Sequence, residues 1–263
     1  MRILLPPSEA KNPGGRGRAL AGRSRRTPLD DVRDLVYARL ADLLDTDGAP
    51  AALLLPLSSA GHALAANRSI LRSATMPAIE RYSGVVYHGL ALGGLSEAAR
   101  VTAGREVLIF SGLFGVLRGN DPIPAYRVPA KASLPGIGVL ATFWRRHLPD
   151  LMPPLLGKRR RGLVVDLRSS DYAAMWQPGR SPEPATRTVS VRVLSTKPDG
   201  TLGVISYNSK LAKGKLAAAL LERRAAGGRV EDPADVAAAW ASVGGKDVIP
   251  RTMGAGTTLD LIA

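Results

Sequence analysis

The chain has 263 residues, 45% hydrophobic and 22% charged, a globular composition that excludes an intrinsically disordered protein. It has no cysteine, which excludes disulfides, thiolate metal sites and cysteine nucleophiles; its three histidines fall in no zinc-binding spacing, so no metal is expected. Lys and Arg number 36 against 22 Asp and Glu, a net charge of +14 that suits a polyanionic partner, nucleic acid above all, or else reflects an arginine-rich composition without one.

No apolar run reaches the roughly 20 residues of a membrane span, and Met1–Leu5 lacks a signal-type apolar core. The sequence therefore predicts no membrane association and no export, and a reducing cytoplasm fits the missing cysteines. Ile3–Leu5 predicts a short strand closed by Pro6-Pro7. The Gly- and Arg-rich stretch 12–26 predicts a mobile loop. Thr27-Pro28 pairs a helix cap with proline at the first helical position, and Val32, Leu35, Val36, Leu40, Leu43 and Leu44 follow at helical spacing. Residues 51–71 read as helix interrupted by Pro56 and Gly61.

Val107–Phe110 is a short apolar run with β-branched residues, the pattern of a strand buried on both faces. Arg118, Asp121, Tyr126 and Arg127 follow it in a loop stiffened by Pro122 and Pro124. That grouping reads either as an anion site or as an Arg118–Asp121 ion pair pinning the loop. Leu134–Ala141 carries Gly136 and Gly138 at the spacing of a DNA-binding helix-hairpin-helix, with Lys131, Arg145 and Arg146 alongside; it reads equally as a turn before a helix whose Phe143, Trp144 and Leu148 are core. A possible helix-hairpin-helix segment thus covers 131–150. Lys158–Arg161 is a second basic run, read as a solvated connection. Leu163–Leu167 predicts another buried strand. Val189–Leu194 and Leu202–Tyr207 read as a strand pair turning at Pro198-Asp199-Gly200, and a helix is predicted from Lys210 to Arg224.

The polar candidates gather after strands: Ser8, Glu9 and Lys11 after the first, Arg118 after the second, Asp166 through Tyr172 after the third, and Lys210, Lys213 and Lys215 after the last. In α/β sheets ligands sit where such strand ends converge. The fold class expected is therefore α/β in a single domain over 1–263. Ser8 and Lys11 also have the Ser-x-x-Lys spacing of acyl enzymes, but in a loop after Pro-Pro and not at a helix start.

Six segments, PPSEAK at Pro6–Lys11, YHGL at Tyr87–Leu90, SGLFGVLR with AYR to Arg127, FW at Phe143-Trp144, DLRSSDY at Asp166–Tyr172 and SYNSKLAKGKL at Ser206–Leu216, stand in the order seen in the YaaA peroxide-stress family, which the chain resembles. The resemblance implies a mixed α/β fold around a central mixed sheet with a positively charged cleft. It further implies binding to double-stranded DNA, helped by a helix-hairpin-helix, and a cytoplasmic role limiting damage when peroxide meets iron; no cofactor is expected from the sequence. Its motif positions fall on Ser8, Lys11, Tyr87, Ser111, Gly112, Gly115, Arg118, Asp121, Tyr126, Arg127, Asp171, Tyr172, Lys210, Lys213 and Gly214. Two departures stand out: Gly119 replaces the proline after Leu-Arg, and SVGGKD at Ser242–Asp247 replaces an aromatic ending.

Two functions remain open. A DNA-binding stress factor would grip phosphates through Arg118, Arg127, Lys210, Lys213, Lys215 and Arg145, with N–H groups of the Gly136–Gly138 hairpin. An enzyme on a nucleotide, nucleoside or nucleobase would stack the base on Tyr87 or Tyr126, position it with Ser111 and Asp121, and draw its acid–base groups from Asp171, Asp166, Lys11, Ser8 and Tyr172.

Overall fold

The computed structural model describes residues 1–22, 27–157, 162–178, 185–197, 200–253 and 256–263. Strand β1 (Arg2–Leu5) is fully buried along Ile3–Leu5 and ends at Pro6-Pro7, which cannot continue the ladder. Helix α1 (Pro28–Leu44) starts as its sequence predicts: the Asp30 carboxylate accepts the Thr27 backbone N–H at 2.8 Å and its hydroxyl at 2.9 Å. The buried Arg33 ties α1 inward, donating to the carbonyls of Phe114 and Val116 at 3.0 and 2.6 Å. Helices α2 (Ala49–Ala52) and α3 (Leu57–Arg68) separate around Pro56, whereas Gly61 lies inside α3 without breaking it.

Short helices α4 (Ala78–Arg81) and α5 (Val85–Leu90) precede α6 (Glu97–Glu106), which delivers the chain into β2 (Val107–Ser111), buried at all five positions. The chain then doubles back at once into β3 (Gly115–Arg118), antiparallel to β2. Gly115 has φ +70, and a Cβ there would stand 2.7 Å from the Trp144 ring, so this turn seats directly on the tryptophan. Helix α7 (Leu140–Leu156), β4 (Val164–Asp166), α8 (Ser170–Ala173), β5 (Thr188–Thr196), β6 (Leu202–Gly203), α9 (Ser206–Ala225), α10 (Pro233–Ser242), β7 (Val248–Met253) and β8 (Gly256–Ile262) follow, and short two-residue ribbons lie outside this set.

The strands form one mixed sheet in the order β7-β8-β5-β4-β1-β2-β3, with β6 on the end of β5. The five inner strands, β8 to β2, run parallel, and β7 and β3 are antiparallel edges. From β1 the chain goes to one side for β2 and later returns to the other side for β4. The topological switch point therefore lies between β1 and β4, and the crevice beyond their carboxyl ends is where such sheets hold ligands. This is the single mixed α/β domain that the sequence predicts.

Two expectations change and one element is new. No helix precedes the Gly136–Gly138 hairpin: residues 130–139 form a turn and a two-stranded ribbon, Ser133–Leu134 with Gly138–Val139, leading into α7. Instead of turning into a helix, Ala132 and Ala130 use their carbonyls on the first N–H groups of α7. The predicted strand over 202–207 shrinks to two residues, Leu202-Gly203, paired with Thr196 and Ser195 of β5, after which α9 starts at Ser206. The β7–β8 hairpin was not foreseen. In the predicted loop 12–26, the described part is pinned by the buried Arg81, which donates to the carbonyls of Asn12 and Gly14; residues 23–26, like the basic run 158–161 and the turn residues 198–199, lie outside the described residues.

Candidate functional site

A cleft of about 1110 Å³ opens at the switch point, slightly larger than the roughly 300–1,000 Å³ typical of small-ligand sites. One wall is the loop after β1, with Ser8 and Glu9; another is the segment after β4, from Asp166 to Ala173; the third is α9, whose Ser206, Ser209, Lys210 and Lys213 share one face at i, i+3, i+4 and i+7 spacing. Gly84, Tyr87, Ala130 and Lys131 close the rim, and Ser190 and Arg192 extend it along β5.

Asp166 and Arg168 form its floor. The buried carboxylate of Asp166 takes three N–H groups of Arg168: the backbone at 3.0 Å, Nε at 2.9 Å and Nη2 at 2.6 Å. The guanidinium lies 4.1 Å from the Phe110 ring centre and 5.5 Å from that of Trp176. Asp166 is thus committed to holding Arg168 and is not a free general base. Lys213 Nζ donates to the Arg168 carbonyl at 3.0 Å, and burial lowers its pKa against the opposing pull of Asp166. Asp171 is half exposed and pairs with Lys131 at 2.9 Å. Tyr172 stands beside the Ala130 backbone, and burial pushes its hydroxyl up to about 12. Lys210 is exposed on the cleft side.

Beside the Ser8 wall lies Lys11. Its Nζ donates to the main-chain carbonyls of Ser8 at 2.9 Å and Glu9 at 3.3 Å, and sits 4.3 Å from the centre of the Tyr126 ring. Burial lowers its pKa to about 7, with Arg127 and Arg81 adding to the effect and Glu9 opposing it. The bond runs to the Ser8 carbonyl and not to its hydroxyl, and Ser8 Oγ sits where a Cβ on Gly84 would be 2.6 Å away, so the acyl-enzyme dyad is not formed. Beneath Lys11 runs a buried hydroxyl chain: Tyr82 to Tyr126 at 2.5 Å, Tyr126 to Ser111 at 2.6 Å, and Ser111 Oγ accepting from the Phe114 N–H at 3.1 Å. Tyr87 donates to the Pro6 carbonyl at 2.9 Å. Burial raises the pKa of Tyr87 and Tyr126 well above the ordinary phenol value, so both stay neutral. Their rings are packed in the core, with Tyr87 7% and Tyr126 4% exposed. They support Lys11 and the Pro6 loop and offer no open face for a base.

The structure thus brings Ser8, Asp166, Asp171, Tyr172, Lys210 and Lys213 into one cleft, with Lys11 behind the Ser8 wall and outside the lining. Arg127 joins them at one edge through an ion pair to Glu9. It separates Arg118 and Asp121. Because the chain reverses at Gly112–Gly115, Arg118 is carried back opposite Leu108, near the start of β2 and beside Arg2, at the other end of the sheet. There the Arg118 N–H donates to the Asp121 carboxylate at 2.9 Å, a loop-pinning contact. Lys215 and Arg145 are exposed on α9 and α7 outside the cleft lining, and Gly136 and Gly138 sit at φ +73 and +72 in the exposed hairpin. Among the described residues no group of three or more His, Asp or Glu is placed to hold a metal ion, and no helix is long and apolar enough to cross a membrane. Sequence reasoning missed Arg168 and Arg192; an Asp-x-Arg at a strand end was the available signal for the first.

The family model described as peroxide stress protein YaaA matches residues 1–239. The chain is 39% identical to the UPF0246 protein SCO2297 of Streptomyces coelicolor over 246 residues, covering 93% of this chain and 90% of that one. It is 40% identical to the UPF0246 protein CE1889 of Corynebacterium efficiens over 223 residues, 84% of each, and 32% identical to a UPF0246 protein of Salinispora tropica over 241 residues, 90% of this chain and 85% of the other. The chain belongs to the YaaA peroxide stress protein family.

Proposed function

We propose that this peroxide-stress-family protein binds double-stranded DNA, with Lys210, Lys213 and Lys131 meeting phosphates at the switch-point cleft. The observation that carries this reading is the placement of those three lysines around one concavity in a chain of net charge +14. Displacing counterions from DNA makes such binding steeply salt-dependent. The exposed Gly136–Gly138 turn, a few residues beyond Lys131 in the chain, adds backbone N–H groups. Titration of a short duplex at several salt concentrations tests the reading. Lys210→Ala should weaken binding and lower the salt slope by about 0.9. Arg118→Ala, at the opposite end of the sheet, should leave both unchanged. Equal losses from the two variants would mean that the charge of the whole surface, and not the cleft, does the binding.

A second reading, an enzyme acting on a nucleotide or nucleoside, is favoured by Lys11. An amine whose pKa lies at about 7, beside the wall of a ligand-sized cleft, is unprotonated in a large fraction of molecules at neutral pH and serves as base or nucleophile. Below that pKa the amine is charged and inert; above it the free base accumulates. Release of base from a nucleotide, followed by chromatography, should therefore rise with pH through about 7, level off above it, and vanish in Lys11→Met. A profile that falls with pH across this range would remove Lys11 from that role.

A further inference from the structure

The cleft runs outward along β5 to Arg192, which faces the same side of the sheet as Ser190 and, through it, Asp166. Arg192 lies directly opposite Asp260 on β8, and Arg251 of β7 stands diagonally beyond. Asp260 is fully buried and its oxygens are both in use: Oδ1 accepts Arg192 Nε at 2.6 Å, while Oδ2 accepts Arg192 Nη2 at 2.6 Å and Arg251 Nε at 2.7 Å. The arginine side chains are by contrast 54% and 55% exposed. These hydrogen bonds, Arg192's foremost, hold the Asp260 carboxyl below the usual aspartate range, so the anchor stays ionised at neutral pH.

One guanidinium neutralises one carboxylate. The second leaves a local surplus of one positive charge. It also leaves outward N–H groups with no acceptor among the described residues: Nη1 of Arg192 and both terminal nitrogens of Arg251. Two guanidinium planes locked at their inner edges by a buried acid are preorganised forks, the geometry that suits a phosphate group. The hairpin that supplies Asp260 and Arg251 begins at Val248, beyond the residues 1–239 matched by the family model.

We propose that Arg192 and Arg251, aligned by Asp260, form a phosphate-binding subsite at the outer end of the cleft. The proposal rests on reading the cleft as a site for phosphate-bearing ligands, and it assigns the β7–β8 hairpin to ligand binding. The group bound is a phosphate monoester or a backbone phosphodiester, and the test separates the two. Calorimetric titration with deoxyadenosine monophosphate, and duplex titration across salt, would be run on wild type, Arg251→Gln, Arg192→Gln and, as a cleft control, Lys210→Ala. Thermal melting shows that each variant is folded. If the hairpin does not tolerate glutamine, Arg251→Lys keeps the charge near Asp260, loses the fork, and is expected to weaken binding in the same way.

With melting unchanged, each arginine variant should weaken binding roughly tenfold, the loss of one charge-assisted hydrogen bond. Weakening toward the monophosphate identifies a small-ligand subsite. A duplex salt slope lower by about 0.9, with the monophosphate unaffected, identifies a backbone contact. If Lys210→Ala weakens binding while both arginine variants match wild type toward both probes, the subsite is overturned and the cleft reading survives. If wild type binds neither probe, both fall.

Discussion

Arg168→Ala is expected to destabilise the protein by about 3–5 kcal/mol, because it strands the buried carboxylate of Asp166 without its partner. Asp166 is 9% exposed and Arg168 5%, and the change removes both side-chain N–H donors to the carboxylate, leaving only the backbone N–H of residue 168. The change also empties the space between the Phe110 and Trp176 rings. Arg168→Lys should recover little, since one ammonium cannot reproduce a two-pronged contact with both carboxylate oxygens. The double variant Asp166→Asn with Arg168→Met should recover a good part of the loss, because no uncompensated charge then remains inside. Denaturant melts of the four proteins check this. An Arg168→Ala midpoint near wild type would show that Lys213, which already senses Asp166, neutralises it unaided.

The sheet interior was legible because its strands are short apolar runs with sharp ends: Ile3–Leu5 before two prolines, Val107–Ser111 before a glycine, Val164–Asp166 before a polar motif. Their neighbours in the sheet were not legible. Which strand pairs with which is settled by long crossovers, the one from Leu5 to Val107 among them, and no local pattern carries that information. The edges were lost for a related reason: Val248–Met253 mixes Pro250 and Arg251 into a strand stabilised by its hairpin partner and not by its own propensity. The predicted helix-hairpin-helix failed at its weakest link, a first helix with only four residues to form in.

The site divides in the same way. Residues directly after β1 and β4 reached the cleft because a strand end fixes where the following residues lie. Arg118 did not, although its motif looked equally strong, because one tight turn reversed the chain and moved it the length of the strand. Asp166 reached the cleft but with its valences filled by a neighbour two residues away. Sequence order located these groups; only the packing told which of them remained free to act. Tyr87 and Tyr126 show the opposite error, since aromatic residues near a polar motif suggest stacking until their burial is known.

The contact of α5 with α9 sets up the second large effect. Gly214 of α9 and Gly89 of α5 meet with no side chains between the helices: a Cβ on Gly214 would lie 2.0 Å from the Val86 carbonyl oxygen, and one on Gly89 would lie 2.2 Å from that of Leu211. Both obstacles are backbone, which cannot swing aside as a side chain would. Gly214→Ala must therefore push the helices apart, at a cost of about 1–3 kcal/mol or more. The displacement has a functional consequence, because residues of both helices line the cleft, Val85 to Tyr87 from α5 and Lys210 and Lys213 from α9. Ligand affinity should fall along with the melting temperature, although no lining residue has been altered. Gly61→Ala is the matched control: that glycine sits in α3 with nothing within 4 Å of a Cβ, and alanine there should stabilise by roughly 0.5–1 kcal/mol through helix propensity alone. Opposite shifts in melting for the same chemical change would locate the cost in helix-to-helix contact. A Gly214→Ala protein that melts with wild type and binds normally would mean that α9 is free to slide, and that the spacing of the cleft walls is not set by this crossing.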